Sequence, residues 1–139
     1  MNRDELLLNK TKQLTYESSY TKTCGKHMRV AASLYSGNTL ICKGVNQNKS
    51  HPIQEKYNQY LSFRRPSCKL HAEVAALLAA DKTNCDMKRT TMYIARKLNI
   101  EGFGNSRPCP ACMAMIRDAG IRKIVYTTEN GYAVEHIER

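Results

Sequence analysis

The sequence predicts a three-layer α/β fold, with helices covering a mixed central sheet. Three observations carry this. Two β-rich runs, residues 28–35 and 39–46, flank Ser36-Gly37-Asn38 and read as a hairpin. Beyond residue 70 the chain alternates helix, strand, helix and strand. Between these halves lies a polar segment at 47–69, containing Pro52 and Pro66, which reads as a long loop excursion. Excursions of that length in small domains are as a rule functional or mobile.

In chain order, residues 3–19 place Leu6, Leu7 and Leu14 among polar side chains and read as a helix. After the hairpin and the excursion, 71–81 is helical, with Val74, Leu77 and Leu78 as its apolar stripe. Residues 90–96 are a strand by their Thr, Tyr and Ile content. A second helix at 110–119 is closed by Gly120 in the C′ position. A strand at 121–128, a turn at Asn130-Gly131 and a short strand at 132–137 follow. The 139 residues fit a single domain, 1–139.

Hydrophobic residues make up 42%, enough for one core, and no apolar run approaches the roughly 20 residues of a membrane span. The first ten residues carry Asp4 and Glu5 ahead of a three-leucine stretch and do not read as a signal peptide, so a cytoplasmic location without membrane contact is expected. In that reducing compartment the six cysteines are not a disulfide framework, and Cys24, Cys42, Cys68 and Cys85 read as free thiols. The net charge of +10, from 22 basic against 12 acidic residues, favours phosphate-bearing partners or simply solubility. It does not separate a nucleotide from a nucleic-acid strand.

The chemistry lies in His71-Ala72-Glu73 and Pro108-Cys109-Pro110-Ala111-Cys112, each at the start of a predicted helix. Pro110 suits the first helical position and makes Cys109 the N-cap. Cys109 and Cys112, three apart, then share a face, and the helix N-terminus favours their thiolates. In an ideal helix, positions two apart point to nearly opposite sides. His71 and Glu73 therefore meet one site only if His71 has non-helical dihedrals just ahead of the helix. One nitrogen and two sulfurs leave a tetrahedral zinc an open position for water, the arrangement of a catalytic site. Glu73 would carry protons between that water, a ring nitrogen and a leaving amine. Cys-x-x-Cys alone equally suits a structural zinc half-site or a redox pair, and Cys68 is the nearby residue that could close a structural site.

With these motifs the chain resembles the cytidine/deoxycytidylate deaminase superfamily over about residues 28–128. Val30-Ala31-Ala32, with Gly44-Val45-Asn46, resembles its early hairpin, and Ala119-Gly120-Ile121-Arg122-Lys123-Ile124-Val125-Tyr126 its stretch after the cysteine helix. The resemblance implies a cytidine-deaminase-like sheet of about five strands and a zinc-dependent hydrolase. It also implies Zn2+ on His71, Cys109 and Cys112, with Glu73 catalytic. Asn46 and the Ala72 backbone would contact substrate, and the Cys109 amide would lie near the developing oxyanion. Ala75 stands where the deoxycytidylate group usually has Asn, and the stretch from Lys97 to Arg107 is longer than usual, with Gly102 and Gly104 loosening it.

The expected reaction is deamination of the cytosine of a (deoxy)cytidine nucleotide. A single-stranded DNA or tRNA substrate and a free base such as guanine are the alternatives. A zinc-containing nucleic-acid-binding module is the non-enzyme alternative; it would have no need of Glu73. Arg64 and Arg65, with Lys69, stand just ahead of His71 and are the expected phosphate contacts. Tyr57, Tyr60 and Phe63 among them would stack on bases or pin the loop to the core. A homo-oligomer is also expected, and building its interface is the alternative role for the same loop. Cys24 and His27, with His51 or Cys68, have metal-like spacing, which chance readily supplies in a six-cysteine chain.

Overall fold

A computed structural model describes residues 1–18, 29–61, 70–98 and 101–138. Helix α1 (Arg3–Leu14) is capped by Asn2, whose side chain accepts from the Glu5 amide. It stops at Leu14, short of the expected residue 19, and tightens into a 3-10 turn at Thr15–Glu17. Thr15 contributes to this ending, because its hydroxyl donates to the Lys12 carbonyl.

Strands β1 (Arg29–Ser36) and β2 (Thr39–Val45) form the expected hairpin. Its two-residue turn places Gly37 first at φ +61°, the position where only glycine is unstrained. The excursion is not wholly irregular. It contains helix α2 (Pro52–Tyr57) and a 3-10 turn at Asn58–Tyr60. Pro52 sits in the first turn, and the His51 side chain caps the Ile53 amide at 3.1 Å. Helix α3 (Ala72–Ala80), strands β3 (Thr90–Lys97) and β4 (Phe103–Gly104), helix α4 (Pro110–Ala119) and strands β5 (Lys123–Thr128) and β6 (Gly131–His136) complete the chain.

The sheet order is β2-β1-β3-β5-β6, with β3 and β5 parallel and the other neighbours antiparallel. A sixth strand comes from the stretch expected to be loose: Phe103 and Gly104 pair with Lys97 and Arg96. The faces alternate as the pleat requires. Ala32, Leu34, Met92, Ile94 and Ile124 pack with the α3 and α4 side chains Ala76, Leu77, Met113 and Ile116. Tyr35, Tyr93 and Val125 pack with Leu7 and Leu8 of α1. Three layers result. Tyr93 donates to Asp4 at 2.8 Å and Lys123 pairs with Asp4 at 3.0 Å, clasping α1 onto the sheet. Burial alone would raise the Asp4 carboxyl, but these two donors outweigh it and hold it below its ordinary value.

Candidate metal centre

The first turns of α3 and α4 bring the motif residues together. His71 is the N-cap of α3 with φ −74° and ψ 150°, the extended backbone that the His-x-Glu spacing required. Cys109 is the N-cap of α4 with φ −66° and ψ 166°, Pro110 follows in the first turn, and Gly120 ends the helix at φ +94°. Gly44 lets β2 approach α3. A Cβ there would lie 2.5 Å from the Ala76 nitrogen and 2.7 Å from the Ala72 oxygen, closer than packing permits.

His71 Nδ1 lies 3.2 Å from Cys112 Sγ and 3.6 Å from Cys109 Sγ, and the three atoms all lie within 4.8 Å of one another. With Zn–S near 2.3 Å and Zn–N near 2.0–2.1 Å, tetrahedral ligand atoms stand about 3.5–3.8 Å apart, so the donor set fits zinc. Cys112 is fully buried, and Cys109 and His71 are half-buried. A hydrogen bond from the Cys112 thiol, working against burial, holds Cys109 down at about 4, and His71 adds to the effect. The same bond, with burial, pushes Cys112 well above its ordinary value. A divalent cation bound there would favour the thiolate form of both.

Glu73 is buried at 6% exposure in the first turn of α3. Burial raises its carboxyl above the ordinary range, with His71 pulling the other way and Cys109 adding to the rise. A buried carboxyl with a raised pKa, hydrogen-bonded to the Cys112 thiol, suits proton transfer.

Ala72, the first residue of α3, is buried. Asn46 is buried just past β2, and the next residue, Gln47, forms a two-bond bridge with Leu70, immediately before His71. Asn46 is thus next in sequence to the residue that bridges to Leu70. The Asn46 Oδ1 accepts from the Val30 amide at 2.9 Å and the Ser18 hydroxyl at 2.6 Å. Arg64, Arg65, Lys69, Phe63, Cys24, His27 and Cys68 lie outside the described residues. His51 caps α2. Tyr57 is buried, and its hydroxyl donates to Asp118 of α4 at 2.7 Å, which fits the pinning role; Tyr60 is half exposed.

Sequence reasoning missed Ser18, and it missed Gln54. The latter is fully buried in α2 and accepts from the His71 amide at 3.0 Å. Neither bond has a sequence spacing that would announce it. Among the described residues no helix is long and apolar enough to cross a membrane.

A family model for the cytidine and deoxycytidylate deaminase zinc-binding region matches residues 1–128. Cytidine deaminase from Burkholderia pseudomallei superposes with a TM-score of 0.66 at 17% identity, over 98% of this chain and 93% of that one. The dCMP deaminase of cyanophage S-TIM5, in complex with dCMP and dUMP, gives 0.61 at 18% identity, over 92% and 84%. These likenesses speak for the fold. No curated protein matches the chain in sequence.

Proposed function

Because the chain belongs to the cytidine and deoxycytidylate deaminase zinc-binding family, we propose that it deaminates the cytosine of a (deoxy)cytidine nucleotide, yielding the uracil product and ammonia. The observation that carries this is the buried Glu73 beside an imidazole and two thiols that fit a zinc ion with one position open. His71, Cys109 and Cys112 would hold the ion, which supplies a Lewis acid able to bring the pKa of a water close to neutral. Glu73 takes a proton from the attacking water and gives it to the cytosine ring nitrogen. It then takes the proton of the hydroxyl now on the ring carbon and passes it to the exocyclic amine as the C–N bond breaks and the carbonyl forms, so one water enters and one ammonia leaves. The Ala72 backbone meets the base and Asn46 the sugar or base, in keeping with the place of Asn46 beside the Gln47–Leu70 bridge.

For the phosphate we assign Arg64 and Arg65, on their sequence position ahead of His71 and the net charge of +10. A cyanophage dCMP deaminase of the same fold binds dCMP and dUMP, which supports a nucleotide here. The test compares kcat/KM of the wild type and an Arg64→Ala/Arg65→Ala variant on nucleoside, nucleotide and single-stranded DNA at two salt concentrations. Loss of the arginines should raise KM for the nucleotide and leave the nucleoside unchanged. Turnover of the strand alone, falling steeply with salt, would instead make this a nucleic-acid deaminase.

A further inference from the structure

We propose that Gln54, in the excursion ahead of the ligand helix, is a positioning residue that sets the backbone of His71 and thereby the grip on the metal. The inference rests on the metal centre described above.

An N-cap side chain ordinarily accepts from an amide in the first helical turn. His71 is the N-cap of α3 but makes no such bond, because its Nδ1 is turned to the two sulfurs. The first amides of a helix, the N-cap's own among them, have no acceptor within the helix. For the His71 amide the partner is Gln54 Oε1, at 3.0 Å. Gln54 is fully buried, and its Nε2 donates to Asn58 Oδ1 at 2.9 Å. Since a backbone N–H can be met only by the oxygen end, both bonds agree on one orientation of the amide.

Gln54 also belongs to an element tied to the other ligand helix. Tyr57, one turn further along α2, donates to Asp118 of α4, the helix that carries Cys109 and Cys112. Helix α2 thus spans the two ligand helices, with one bond to each. A six-residue helix has little stability of its own, so α2 is held by these bonds and by the packing of Ile53 against Leu70, Val74 and Cys112. Without Gln54 the His71 amide would be left without its partner, and the imidazole would lose the backbone anchor that holds it beside the sulfurs. Metal ligands tolerate displacements of only about 0.5 Å, which is why removing an outer partner weakens metal binding.

The test uses the full zinc-loaded chain and measures zinc transfer to a chromogenic chelator, at a temperature where circular dichroism shows each variant folded. Gln54→Leu should weaken zinc binding roughly ten- to hundredfold. Gln54→Glu keeps an acceptor for the amide and should hold zinc within a few-fold of wild type, even though burying the carboxylate lowers its melting temperature. Tyr57→Phe loosens α2 from α4 without touching His71, and should melt earlier with near-normal zinc affinity. Wild-type affinity in folded Gln54→Leu would overturn the proposal. So would an equal loss in Tyr57→Phe, because general loosening would then suffice. If Gln54→Leu does not fold, Asn58→Ala frees the other end of the Gln54 amide and should cost several-fold in affinity; no change there would overturn it too. A wild type that binds no zinc, or a His71→Ala variant that keeps it, would show instead that the metal centre itself is misassigned.

Discussion

The chain reaches His71 and Cys109 by two routes that are held by different means. Among the described residues, Leu70 bridges to Gln47 just before His71, and the His71 amide is met by Gln54 of a short helix. Before Cys109, the approach is woven into the sheet. Strand β4 pairs with β3, and Ser106 is buried with its hydroxyl donating to the Ile94 carbonyl. Thr127 of β5 donates to the Gly104 carbonyl at 2.7 Å, and Arg107 makes a bidentate pair with Glu135 of β6. The cysteine side is therefore tied into the sheet at several points.

The comparison can be broken at its meeting point or on either route. The largest effect is expected from Cys112→Ala, which removes a ligand at the centre where the two routes meet: metal analysis should find most of the zinc gone, and full retention would remove the assignment. On the sheet-bound route, Thr127→Val keeps the shape of a fully buried side chain but leaves its hydrogen-bond partners unmet. Denaturant melts should show a loss of about 1–3 kcal/mol, a global effect in contrast to the local one of Gln54. An unchanged midpoint would mean that the cysteine route is not part of the cooperative unit.

A smaller effect, far from both routes, calibrates these. Asp4 has its pKa lowered in the folded chain, so its contribution is present above the unfolded carboxyl value and is lost as pH falls through the folded one. Asp4→Asn should cost about 1 kcal/mol at neutral pH, and the gap to wild type should close on acidification below about pH 4. A gap independent of pH would show that the Lys123 and Tyr93 bonds do not depend on the charge. The smallest change is expected from Arg107→Ala. Its pair with Glu135 is half exposed, so the unfolding free energy from denaturant melts should change by less than about 1 kcal/mol despite good geometry.

The difference between the routes also explains what could be read from the sequence. His71, Glu73, Cys109 and Cys112 were legible because local rules place them: proline after the N-cap, glycine at the C′ position, and the need for an extended His71. The sheet was legible from runs of β-formers, since alternate residues do meet opposite helix layers. Strand β4 was not, because two residues paired to β3 carry no periodicity, and glycines that looked loosening include Gly104, which takes part in that ladder. Gln54 and Ser18 were invisible for a related reason. Each bonds a group distant in sequence, His71 for one and Asn46 for the other, and such a bond depends on packing alone. The helix inside the excursion, by contrast, had a readable start in His51 and Pro52, which the polar composition around it obscured.

The central claim is that Glu73 moves the protons of a zinc-dependent deamination, and Glu73→Gln tests it most directly. The amide nearly matches the carboxyl in size, so fold and metal should survive while proton transfer fails. Zinc per chain and ammonia release from cytosine nucleotides should be measured on the same preparations. The account predicts equal zinc in both proteins and a loss of turnover on the order of 10²-fold or more in the variant. Near wild-type ammonia release with zinc still bound would contradict it.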